Sequence, residues 1–159
     1  MNIFQIIVVL SSTMLLCGCF TVKEDISKTH VYHTDYVVGK IYKTKRALFM
    51  QRLGNVEMLV APGDANARIP RSIESYLAQR DRWPEIVGVL EKGTSVRVTR
   101  LVREYNQETG SVFFVFATIL DGVHCGRAVD LRAISLDYQQ TNPVVSVPFC
   151  NRNLLEEIE

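Results

Sequence analysis

Apolar and polar positions alternate with period two through much of the second half of the chain. In residues 94–105 (TSVRVTRLVREY), Val96 and Val98 alternate with Arg97 and Thr99, the pattern of a strand with one buried and one wet face. The phase slips near Arg100 and Leu101, which predicts a bulge or strong coiling. Residues 106–110 (NQETG) end in glycine and read as a hairpin loop. The returning segment, 111–120 (SVFFVFATIL), is apolar on both faces. A strand of that kind is usually central and covered on both sides. The other reading makes its second apolar face a binding surface.

The remaining elements are shorter. Residues 36–51 (YVVGKIYKTKRALFMQ) and 55–61 (NVEMLVA) read as extended, with Gly54-Asn55 as a tight hairpin between them and Pro62-Gly63-Asp64 as the closing turn. Residues 70–82 give the best helix. Ser72 is placed to cap it, and Ile73, Tyr76, Leu77 and Arg80 share one face. Trp83-Pro84 ends it, and Trp83 reads as a packing residue more readily than as a ligand-stacking one. Ile86, Val87, Val89 and Leu90 lead into a Glu91-Lys92-Gly93 turn. Asp121-Gly122 turns the chain again, 127–135 alternates, Asn142-Pro143 breaks the pattern, and 144–149 is a last short strand. Residues 153–159 read as a helical or frayed acidic end. Five or six short strands with one inserted helix predict a mainly β domain, a small antiparallel barrel or sandwich.

The N-terminal pattern is different. Residues 2–18 carry no charged side chain, and their apolar centre, 6–16, has the length of a signal-peptide core. A spanning helix needs about 20 apolar residues, and this run meets Lys23, Glu24 and Asp25. It closes on Leu16-Cys17-Gly18-Cys19, which resembles the lipobox of bacterial lipoproteins. The alternatives are an ordinary signal peptide cut nearby or an uncleaved membrane helix. The resemblance implies removal of residues 1–18, lipidation of the Cys19 thiol and attachment to the lipid bilayer through that residue. Two or more acyl chains give stable anchoring. Phe20 stands where Asp would signal inner-membrane retention in Gram-negative lipoproteins, so the resemblance implies the outer membrane for a Gram-negative source. Residues 19–36, polar and mixed, then read as a tether of about 50 Å at full extension, and 37–159 as one periplasm-facing domain. His30, His33 and Asp35 lie in that tether and read as solvated linker residues rather than a metal site.

Charge and cysteines narrow the function. A formal net charge of +1 lacks the basic excess of a dedicated nucleic-acid binder. Of four cysteines, Cys17 leaves with the signal and Cys19 carries lipid. The remaining pair, Cys125 and Cys150, reads as one disulfide in an oxidising compartment, closing a loop of about 25 residues and contributing about 3.5 kcal/mol on the chain-entropy model. Free thiols, with His124 beside them, are the competing reading. No nucleophile elbow, metal-ligand set or phosphate loop stands out, so neither an enzyme nor a cofactor is expected.

A second resemblance covers about 50 residues. Residues 91–98 (EKGTSVRV) are similar to a strand of bacterial Src-homology-3-like domains, and 126–131 (GRAVDL) lie where such domains close. Arg127 stands where that family commonly has Trp, and no binding residue is carried over. Many secreted members bind cell-wall peptide or scaffold other proteins, although fold alone does not fix function. The expected role is a non-catalytic binding or assembly lipoprotein, engaging an envelope protein or peptidoglycan. Its candidate surface is Lys43, Lys45, Arg46, Arg97, Arg100 and Arg103, with Trp83 or Tyr105 nearby; the competing view makes these ordinary solvated residues. An inhibitor or immunity lipoprotein acting through the 61–71 connection, or an accessory lipoprotein of a secretion or pilus machine, are the other classes.

Overall fold

The computed structural model describes residues 21–29, 31–64, 68–106, 110–141 and 144–158. The 1–18 segment and Cys19 lie outside them, as does His30. Among the described residues, no helix is long and apolar enough to cross a membrane.

The chain is mainly β, as its patterning predicts. It contains β1 (Thr21–Asp25), β2 (Ile41–Thr44), β3 (Leu48–Leu53), β4 (Val56–Val60), α1 (Ile73–Ala78), β5 (Ile86–Leu90), β6 (Ser95–Asn106), β7 (Gly110–Ile119), β8 (Ala128–Asp130), β9 (Leu136–Thr141), β10 (Val144–Phe149) and β11 (Leu155–Ile158), with 3-10 turns at Arg80–Arg82 and Arg132–Ile134. One open sheet runs in the order β11-β2-β6-β7-β8-β4-β3-β5, and β9-β10 is a separate hairpin. The sheet is mixed rather than wholly antiparallel, because β4 and β8 pair in parallel at Met58 and Asp130.

The β6–β7 hairpin is the axis of the fold. Val96 and Val98 point inward. The register then shifts between Val98 and Arg100, where the broken alternation places a bulge, and Leu101 returns to the core. On β7, Phe113, Val115, Ala117 and Ile119 are buried, while Phe114 and Phe116 face the other way and are half-buried. On that second face Phe116 and Phe114 lie under Arg100 and Arg132, and Val102 and Asp130 opposite them are buried, so the expected cover on both sides is partial there among the described residues.

Two clusters make the core. The larger includes Tyr42, Leu48, Leu59, Leu90, Val96, Val115, Val129 and Leu155. The smaller joins Phe49, Met58, Val60, Ile69, Tyr76 and Ile86, with Trp83 packed against it. The second cluster explains α1. Ser72 caps it, its side chain accepting from the Ser75 amide at 3.1 Å while Ser75 Oγ accepts from the Ser72 amide at 3.1 Å. Only one turn and a half form before the 3-10 turn, so Tyr76 is buried while Leu77, expected on the same face, is 64% exposed.

Several sequence expectations are corrected. Residues 36–51 do not form one strand: β2 joins β6 and β11, whereas β3 joins β4 and β5. Residues 127–135 form the three-residue β8 and a 3-10 turn. β9 was not expected, and the C-terminal end is a strand, β11, rather than a helix.

The expected tether is packed onto the fold. β1 pairs with the second half of β6, from Thr21 opposite Asn106 to Asp25 opposite Val102. Ile26 and Tyr36 are buried, and Tyr32 meets Phe113 edge-on at 5.2 Å. The His33 amide donates to Gln140 Oε1 at 3.0 Å, and Thr34 Oγ1 donates to the Pro148 carbonyl at 2.6 Å. A polar-looking segment thus holds the β9–β10 hairpin through the His33 amide and the Thr34 hydroxyl. Composition could not reveal this, because the few apolar residues (Ile26, Tyr32, Tyr36) carry the burial.

Candidate functional site

The seven residues expected to form one surface are divided. Lys43 and Arg97 are exposed on the outer side of β2 and β6, and Arg100 follows on β6 beyond the bulge. Lys45 and Arg46 lie past the end of β2, where Lys45 Nζ donates to the Arg152 carbonyl at 3.0 Å. Arg46 lines a polar cleft of about 470 Å³ with Asp64, Ser135 and Asn151. Arg103 points to the opposite face of β6, where Nε donates to Ser111 Oγ at 2.9 Å and the guanidinium lies over the Tyr32 ring. Trp83 belongs to the small core cluster. Lys43, Arg97 and Arg100 therefore remain as one outward basic row.

That row borders an aromatic one. Phe114 and Phe116, two residues apart on β7, stack with centroids 5.9 Å apart and planes 5° from parallel. The Arg100 guanidinium lies 5.0 Å from the Phe116 centroid and that of Arg132 lies 4.5 Å from the Phe114 centroid. The result is a four-member ladder, Arg100-Phe116-Phe114-Arg132. Cation–π contact holds each arginine over a ring, and a guanidinium so placed keeps donors that a ligand can reach. Flat rings bind apolar and sugar-like faces, and guanidinium forks bind carboxylates. The alternation of 111–120 carried the signal for Phe114 and Phe116; the signal for Arg132 is absent from local sequence, since the β7–β8 pairing brings it there.

Asp130, opposite Phe116 in the β7–β8 register, ties the ladder to the backbone. Its Oδ1 accepts from the Val115 amide at 3.2 Å and from the Arg132 amide at 3.0 Å. Its Oδ2 is buried with no hydrogen-bond donor among the described residues, and Arg132 Nε lies 3.7 Å away. Burial pushes the Asp130 carboxyl above its ordinary value, against the amides and Arg132, which favour the ionised form.

A second polar group closes the end of the sheet. Arg127 Nε donates to Glu57 Oε2 at 3.0 Å, and its Nη1 lies 3.4 Å from His124 Nδ1. Burial opposes ionisation of Glu57, but Arg127 and Arg52 outweigh it and hold the carboxyl below its ordinary value. His124 lies against Gly88, where a Cβ would come within 2.5 Å of Nε2.

The expected Cys125–Cys150 disulfide is not formed. Cys125 is exposed in the turn after β7, its thiol donating to the Leu120 carbonyl at 3.0 Å. Cys150 is buried at the end of β10, its amide donating to Asp35 Oδ1 at 2.6 Å, and burial pushes its thiol up to about 11. The two belong to different parts of the fold, so an even cysteine count is a poor guide to pairing here. Asp35 also pairs with Arg152 at 3.2 Å, which separates it from any role with His33. Among the described residues no group of three or more metal-ligating side chains comes together.

An apolar-lined cleft of about 320 Å³ lies between Ile26, Tyr32, His33, Tyr36 and Leu101, on the face opposite the ladder. No family model, no curated protein and no solved structure matches the chain.

Proposed function

We propose that the protein is a lipid-anchored lipoprotein of the bacterial cell envelope that acts as a non-catalytic binding or assembly module. Acylated Cys19 holds it at the membrane, the outer one in a Gram-negative cell, and the domain faces the periplasm. The observation that carries the binding role is the outward ladder of Arg100, Phe116, Phe114 and Arg132, extended by Arg97. Two half-buried phenylalanines on the outward face of β7 are held in place by a buried carboxylate and two arginines, an arrangement suited to a partner with both apolar and acidic groups. An envelope protein or peptidoglycan has that chemistry.

The Src-homology-3-like reading belongs to the same proposal. Its support is the turn and strand formed by residues 91–98. Arg127, at the position of the family's usual Trp, is engaged with Glu57. The ladder on β7 therefore takes the place of that family's aromatic groove.

The test is crosslinking in the native envelope followed by affinity purification, with wild type compared to Phe116→Ser. A stoichiometric envelope protein or wall fragment, lost in the variant, supports the proposal. Capture of a toxin or hydrolase that the variant retains would move the function to the 61–71 connection and an inhibitor role.

A further inference from the structure

The pairing of β1 fixes where an anchor must lie. Thr21 is opposite Asn106, at the end of β6 next to the hairpin turn. Cys19 precedes Thr21 by two residues, and two residues of chain span at most about 7 Å. Thr21–Asp25 are not a spacer, because they pair with β6 and lead into the buried Ile26. An acyl chain on Cys19 therefore brings the β1–β6–β7 end to the bilayer surface.

That end has the right chemistry. Val22 and Tyr105 are directly opposite each other on β1 and β6, and they are 47% and 40% exposed. Tyrosine favours the boundary between lipid and water, where its ring is apolar and its hydroxyl wet. The charges around them are paired: Lys23 to Glu104 at 3.1 Å and Arg103 to Glu24 at 3.5 Å. Among the described residues, these four charges cancel.

We propose that this end rests on the lipid bilayer itself, with Val22 and Tyr105 seated at the lipid–water boundary, so that the domain is held in one orientation instead of swinging on a tether. This rests on the reading of Cys19 as acylated. The consequences are geometric. Ser95, at the other end of β6, lies up to about 36 Å away, so Lys45, Arg46 and the 91–93 turn point away from the membrane. Val22 and Tyr105 also lie on the opposite face of the ribbon from Val102 and Phe114, so the ladder stays clear of lipid.

The test uses the full acylated protein in phosphatidylethanolamine–phosphatidylglycerol vesicles containing headgroup-quencher lipid. A fluorophore is placed at Tyr105→Cys or Lys92→Cys in a Cys125→Ser background, with Val22→Cys as a second membrane-side position. The N-terminal peptide of the same sample is weighed for acyl chains. The expected result is at least fivefold stronger quenching at 105 and 22 than at 92, unchanged in high salt. Acylated protein with equal quenching at all three positions overturns the orientation and leaves the lipoprotein reading standing. A dimer crosslinked through 105, without quenching, does the same. An unacylated N-terminal peptide overturns both.

Discussion

Phe114 and Phe116 stack on the outer face of β7, 5.9 Å between centroids and 5° from parallel, each covered by an arginine. On a strand, residues i and i+2 are neighbours on one face, so this half-buried Phe-x-Phe pair forms one continuous aromatic strip flanked by its two arginines. Folding alone does not require that strip, since Phe113 and Val115 on the other face already fill the core. Phe116→Ala is expected to lower stability by about 2 kcal/mol, from the lost burial of a half-buried ring and one aromatic contact, while removing most partner capture. Urea unfolding beside envelope capture checks both parts. A loss of several kcal/mol would make Phe116 a core residue instead.

Asp130 gives a pH-dependent prediction. Burial raises its folded carboxyl above the ordinary value of 3.8. A carboxyl raised on folding costs nothing when protonated in both states, and its cost appears as pH rises through the unfolded value toward the folded one. Asp130→Asn keeps an oxygen for the Val115 and Arg132 amides and removes the charge, so its stability relative to wild type is expected to improve from pH 3.5 to pH 7. Asp130→Ala leaves both amides without that acceptor and is expected to cost about 2–3 kcal/mol. Thermal unfolding of the three proteins across pH reads both effects. An Asn variant whose relative stability falls with pH would mean that Arg132 outweighs burial.

The free thiols are distinguishable by reactivity. Cys125 is exposed, and Cys150 is buried with its thiol pushed up to about 11. Thiolate is the reactive form. Native protein is expected to take one alkyl group at Cys125 within minutes, and a second at Cys150 only after unfolding. Non-reducing peptide mapping that links the two would restore the disulfide that their even number suggests.

Gly88 makes room for His124. A Cβ at 88 would meet His124 Nε2 at 2.5 Å and Met50 Cε at 2.9 Å. Gly88→Ala is expected to destabilise by about 1–3 kcal/mol through overpacking. Adding His124→Ala empties the imidazole's place and is expected to recover about half of that loss. A double variant no better than the sum of the singles would show that the approach of Met50, rather than space for His124, is the reason for glycine.

How far the sequence reveals this fold varies by segment. The 94–120 hairpin, its bulge, the 54–55 turn and the capped helix start are legible, because each depends on neighbours within a few residues. Sheet partners are not. Nothing local in 36–51 says that Ile41 will meet Arg97 while Phe49 meets Val60. The packed 21–36 segment was hidden because backbone and single-residue contacts hold it. The candidate site divides the same way. Arg97, Arg100 and the outward phenylalanines follow from alternation, whereas Arg132 and Asp130 arrive through the pairing of β7 with β8, and Arg103 and Trp83 face other surroundings.

The most direct measurement replaces Phe116 with a photo-crosslinking amino acid in intact cells and compares it with the same replacement at Leu77, an exposed apolar residue on α1. The account predicts a discrete adduct from position 116 and none from 77. Adducts from 77 alone, or equal diffuse labelling at both, would contradict a binding role for the Phe114–Phe116 face.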